Sequence, residues 1–122
     1  MILVDTSIWI DHLHRADPRL TALLEQDECA VHEDVIEELA LGSIARRQAV
    51  LSLLGNLHRL PRLTHEELLT LVERHGLQSR GLSAVDVHLL GSVLISPGAA
   101  LWTRDKRLLV ACQDVGAATF PE

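Results

Sequence analysis

Tyrosine is missing from this 122-residue chain, and its aromatic side chains amount to two tryptophans and one phenylalanine. A core with so little aromatic bulk must be filled by Leu, Val, Ile and Ala. The supply is sufficient, because 48% of the residues are hydrophobic, more than a disordered chain carries. Cysteine is scarce too. Cys29 and Cys112 stand far apart with no CxxC pair, which excludes a disulfide framework and a cysteine zinc site and fits a reduced compartment. No apolar run is long enough to span a membrane. The run after Met1 stops at Asp5, too soon for a signal peptide. A cytoplasmic protein of one domain, residues 1–122, is the expectation.

Lysine occurs once, as Lys106, and the other ten basic residues are arginines. The net charge of −6 excludes a general nucleic-acid coat protein, whose affinity comes from neutralising phosphates. It does not exclude a nuclease whose acidic site is masked by cations, since bound ions reverse the local sign.

Short apolar runs alternate with helical patterns. Ile2–Val4, Cys29–Val31, Leu60–Leu63, Ala100–Thr103 and Ala117–Phe120 read as strands. Thr6 or Ser7 can cap a first helix carrying Ile8, Trp9 and Leu13, and Pro18 suits the first turn of a second. Further helices are expected from Glu33 to Leu41, ending at Gly42, from about Arg46 to His58, and from Thr64 to near Gly76. Two more should run from Ser83 to about Ile95 and from Arg104 to Cys112. Thr64 with Glu67, and Ser83 with Asp86, have capping-box spacing. The alternation predicts an α/β fold around a mainly parallel sheet, whose ligands sit at the carboxyl ends of the strands.

Acidic residues fall at those ends. Asp5 follows Ile2–Val4, and Asp105 follows the strand that ends near Thr103. Each could serve only to cap or stabilise a helix start. Asp86 lies inside an apolar stripe of Val85, Leu89, Leu90 and Val93, which aims it inward, unless the Ser83 capping box turns it back. An inward carboxylate is costly unless paired or bound to metal. Glu37 and Glu38 flank the apolar face of their helix at similar angles, so periodicity does not choose between them. Oxygen donors of this kind suit Mg²⁺ or Mn²⁺, which can activate water against a phosphodiester.

Four segments together resemble the PIN-domain family, and within it the VapC-type toxins of bacterial toxin–antitoxin pairs. They are Val4-Asp5-Thr6-Ser7-Ile8-Trp9-Ile10-Asp11, Glu38-Leu39-Ala40-Leu41-Gly42, Ser83-Ala84-Val85-Asp86-Val87-His88-Leu89-Leu90 and Trp102-Thr103-Arg104-Asp105-Lys106-Arg107-Leu108. The resemblance implies a three-layer α/β/α sandwich that cleaves RNA with one or two Mg²⁺ or Mn²⁺ ions per site. It carries the acidic positions over to Asp5, Glu38, Asp86 and Asp105, chooses Glu38 over Glu37, and marks Thr6 and Thr103 as hydroxyls beside the metal. It also implies a homodimer and a cognate antitoxin. Glu37 departs from the small residue usual before that glutamate.

Arg46, Arg47, Arg104, Lys106 and Arg107 lie near the acidic segments in sequence and are candidate RNA contacts, with solvated surface as the plainer role. Trp9 and Trp102 could stack on bases, but their apolar flanks favour the core. His12, His14 and His32 lack the spacing of a zinc centre. A phospho-signalling receiver domain is a competing reading of another class, and it fits poorly because Asp5 has no adjacent acid and Lys106 directly follows Asp105. An inactive PIN-fold scaffold and a DNA nuclease complete the alternatives.

Overall fold

The computed structural model describes residues 1–122. Four strands, β1 (Ile2–Val4), β2 (Cys29–Val31), β3 (His58–Arg59) and β4 (Ala100–Trp102), pair in parallel in the order β3-β2-β1-β4. The helices between and after them are α1 (Thr6–His14), α2 (Pro18–Glu25), α3 (Glu33–Leu41), α4 (Arg47–Gly55), α5 (His65–His75), α6 (Ala84–Leu94) and α7 (Lys106–Val115). None is long and apolar enough to cross a membrane.

Strands β1, β2 and β4 are short, largely buried apolar runs, as a parallel sheet covered by helices requires. Leu3, Val4, Ala30, Val31, Leu101 and Trp102 are all fully buried. Going from β1 to β2 to β3 the chain steps one way along the sheet, and then it crosses back to β4 on the far side of β1. Right-handed crossovers therefore put α1 to α4 on one face and α5 and α6 on the other. The packing agrees: α1 touches α3 and α3 touches α4, while α6 touches α5, β4 and α7. Between the carboxyl ends of β1 and β4 the chain departs in opposite directions, and this opens a crevice of the kind that binds ligands in α/β folds.

Local chemistry shifts several expected boundaries. Asp5, rather than Thr6 or Ser7, caps α1, with extended backbone and its carboxylate accepting the Thr6 N–H. Asp105 caps α7, so Arg104 lies before that helix, which runs past Cys112 to Gly116 at φ 81°. The third strand is His58–Arg59 rather than Leu60–Leu63. Those exposed residues pair with Ala30 and Val31, and the ladder ends where the Leu60 N–H meets the Val31 carbonyl at 2.9 Å. Leu60 and Leu63 are apolar because they are buried, not because they pair. Leu63 packs so closely on α6 that a Cβ at Gly91 would stand 2.2 Å from its Cδ1. The last expected strand shrinks to a single parallel bridge between Leu101 and Thr119 before Pro121. Helix α6 is buried continuously from Val87 to Val93, not along one stripe.

The start of α3 rests on a histidine. His32 is fully buried, and its Nδ1 accepts the Asp34 N–H at 3.0 Å, so the ring must be neutral with its proton on Nε2. Burial above all, with His88 and Arg62 adding to it, lowers the His32 pKa against the opposing pull of Asp34 and Glu33. Buried His88 shifts the same way. A histidine whose pKa is lower when folded binds more protons when unfolded. Its contribution to stability is therefore complete above the unfolded pKa of about 6.5 and is lost as the pH falls. Denaturant melts should show stability declining below about pH 6.5. His32→Asn, which keeps a capping acceptor, should flatten that decline; an identical slope in the variant would remove His32 from the explanation.

Candidate active site

Asp5 sits where β1 ends. Its N–H donates to the Trp102 carbonyl of β4 at 3.0 Å, so the sheet itself fixes its backbone. Both carboxylate oxygens are engaged: Oδ1 accepts the Thr6 N–H at 2.7 Å, and Oδ2 accepts the Thr103 hydroxyl at 2.7 Å. The buried Thr103 hydroxyl also accepts the Asp105 N–H at 3.1 Å. One threonine thus ties together the acids at the ends of two neighbouring strands.

The other acids arrive from three helices. Asp105 caps α7, its Oδ1 accepting the N–H groups of Arg107 and Leu108. Asp86 and Ser83 form the reciprocal capping box at the start of α6: Asp86 Oδ2 accepts the Ser83 N–H at 2.9 Å, and Ser83 Oγ accepts the Asp86 N–H at 3.1 Å. Glu38, on α3, accepts the Thr6 hydroxyl at 2.5 Å, whereas Glu37 makes no such contact. Asp5, Thr6, Glu38, Asp86 and Asp105 line one open cavity of about 520 Å³, together with Ser7, Ile10, Val85 and Arg104. Ser7, Ile10 and Val85 are not singled out as site residues by the sequence; Ile10 and Val85 are apolar, and Ser7 reads only as a possible helix cap.

The inward reading of Asp86 and its capping box are both realised, because one oxygen serves the cap and the residue still lines the cavity. Glu38 and Asp105 likewise engage only one carboxylate oxygen each. Burial, joined by the charges of Asp86 and Glu38, raises the Asp5 pKa despite the hydrogen bonds from Thr103 and Thr6, which act to lower it. A cavity with a buried carboxylate and free oxygen donors on several walls fits a hard divalent cation. As the side chains stand, no three Asp, Glu, His or Cys residues are drawn into a closed metal cluster.

The candidate RNA contacts separate. Arg104 borders the cavity, but its guanidinium is held by Asp11 at 2.9 Å, by Asp17 at 3.4 Å and by Glu122. Arg47 donates to the Ala40 carbonyl and links α4 to α3. Arg46 is exposed, with left-handed backbone at φ 53°. Lys106 and Arg107 line a neighbouring cavity. Trp9 and Trp102 are fully buried in the core. The three histidines serve apart: His12 accepts the Asp17 N–H, His14 bonds the Ile10 carbonyl and His32 caps α3.

The parallel sheet and its acid-lined crevice define a PIN-type protein. A family model described as PIN domain matches residues 2–113, and the chain belongs to that family. It is also 59% identical over 122 residues to proteins named Ribonuclease VapC32 from two Mycobacterium tuberculosis strains, CDC 1551/Oshkosh and H37Rv. The match covers 100% of this chain and 98% of each relative. The receiver-domain reading is thereby set aside.

Proposed function

We propose that this protein is a metal-dependent endoribonuclease, the toxin of a type II toxin–antitoxin pair, acting from the cavity lined by Asp5, Glu38, Asp86 and Asp105. The observation that carries the proposal is the Thr103 hydroxyl, which joins Asp5 to Asp105 across β1 and β4 in a chain 59% identical to named ribonucleases. Asp5, Asp86 and Asp105 would hold Mg²⁺ or Mn²⁺, one or two per site, with Glu38 binding directly or through water. Such a cation, when bound, offsets the phosphate's charge and activates water for in-line attack. The chain's own part is positioning. Thr103 orients Asp5, Thr6 steadies Glu38, and backbone N–H groups pin one oxygen each of Asp86 and Asp105. The proposal includes a homodimer, a cognate antitoxin and a cytoplasmic location.

The test is cleavage of a mixed cellular RNA pool by purified, antitoxin-free protein with Mg²⁺ or Mn²⁺, with excess chelator, and with matched DNA as competitor. Metal-dependent cutting of RNA that DNA does not suppress is expected. Failure to cut intact transfer and ribosomal RNAs would favour an inactive scaffold.

Thr103 offers a separate check. Thr103→Val keeps the shape but loses the hydroxyl that bonds the Asp5 carboxylate and the Asp105 backbone N–H, and kcat should fall about 10–100-fold, the usual loss when a partner orienting a metal ligand is removed. Thr103→Ser should restore most of it. Equal rates for wild type and Thr103→Val would show that the hydroxyl does not orient Asp5.

A further inference from the structure

Beside the acidic cavity lies a second of opposite character. About 270 Å³ in volume, it is lined by Arg80, Lys106, Arg107 and Val110, with no carboxylate on its wall. In a chain of net charge −6 this grouping of three cations stands out. Lys106 and Arg107 are exposed and make no ion pair. Arg80 is only partly engaged, by the exposed Asp114 at 2.7 Å.

The two cavities are covalently contiguous. Asp105 lines the first, and Lys106 and Arg107 line the second one and two residues later. On the other side, Arg80 is three residues before Ser83, whose N–H holds Asp86. The Arg107 guanidinium lies across Gly81, at φ 75°, so closely that a Cβ there would stand 2.7 Å from Nη1. Glycine at position 81 suits the positive φ of the turn and leaves room for the arginine to lie across it. Arg104, nearer to the acids, is already occupied by three carboxylates and cannot fill the same role without losing them.

We propose that Arg80, Lys106 and Arg107 form a subsite for an RNA backbone phosphate next to the one being cleaved. The inference rests on the nuclease reading above. A polymer with one phosphate in the acidic cavity necessarily carries others beside it, and arginine matches their oxygens two at a time. The charges that repel RNA and those that hold it are thus separated along the strand: the acids, with their cation, receive one phosphate, and the arginines receive its neighbour.

The test compares wild type, Arg80→Ala, Arg107→Glu and Arg107→Lys on a single-stranded RNA oligonucleotide containing a mapped cut site. Arg74→Glu supplies the same charge change at an arginine of α5 that makes no ion pair. Arg107→Glu should raise KM about tenfold or more, with the loss falling on KM rather than kcat, and Arg107→Lys should recover part of it. Binding of the same RNA by each protein in an Asp5→Asn background gives a readout independent of cutting. The salt dependence there should weaken by about 0.7 in log–log slope for each phosphate of the single strand that the variant no longer neutralises. If Arg74→Glu matches Arg107→Glu, or KM and slope stay at wild-type values, the subsite is overturned while the nuclease stands. If the wild type cuts no RNA, both fall.

Discussion

Asp5→Asn is expected to lose RNA cleavage and, in the same protein, to gain thermal stability when divalent cations are absent. The activity loss should be at least about 10²–10³-fold, the scale seen when a group that stabilises transition-state charge is removed. The stability gain follows from linkage. Asp5 has a raised pKa, chiefly from burial, so its folded form favours the proton. Its contribution is favourable below the unfolded pKa of about 3.9 and is lost as the pH rises through the folded value. At neutral pH the ionised carboxylate therefore opposes folding, and asparagine removes that opposition. The hydrogen bonds survive, because asparagine still caps helices and the Thr103 hydroxyl can accept as well as donate. Mg²⁺ or Mn²⁺ should raise the wild-type Tm by preferential binding to the folded state and should raise that of the variant much less. Calorimetry with and without chelator, beside the cleavage assay, separates the outcomes. Full activity in Asp5→Asn would refute the site assignment. Lost activity with lost stability would make Asp5 a structural cap first.

Trp102→Ala should be the most damaging truncation for the fold. The side chain is fully buried, with its ring 4.9 Å from that of Phe120 and the Arg19 guanidinium 4.9 Å above it. Removing it should cost about 3–5 kcal/mol, a large part of the roughly 5–15 kcal/mol that holds such domains together. Trp102→Phe should cost much less, because a smaller ring still fills most of the buried site beside Phe120. The damage should also reach catalysis, since the Trp102 carbonyl receives the Asp5 N–H and Thr103 follows directly. Urea titrations of the two variants measure the difference, and equal midpoints would mean that ring packing contributes little.

What could be read from the chain was local or strongly periodic. Ile2–Val4 and Cys29–Val31 are strands as their apolar runs suggest, and both capping boxes form as their spacing suggests. The third strand could not be placed, because His58 and Arg59 pair at an exposed sheet edge where nothing local records pairing. The buried circumference of α6 was hidden for a related reason. Helices α5 and α7 and strand β4 pack on it from several sides, contacts that its own periodicity does not record. At the site, Asp5 and Asp105 were marked by their position after strands. Glu37 and Glu38 were indistinguishable by angle, and only resemblance chose Glu38; in the fold, it is the Thr6 hydroxyl that singles it out. Arg104's engagement with Asp11, Asp17 and Glu122 involves partners up to 93 residues away and left no trace in the sequence pattern.

The pairing of β1 with β4 has a consequence for how the cavity is assembled. Ile2 pairs with Ala100 and Val4 with Trp102, so β1 is joined on one side to a strand 98 residues away in sequence. Pairings this distant in sequence close late in folding. Asp5 and the Thr103 hydroxyl that meets it lie 98 residues apart, so their hydrogen bond depends on that pairing. Until that long-range pairing closes, Asp5 stands without the hydroxyl that orients it, so the acid-lined cavity is completed by global folding and not by any local segment of the chain.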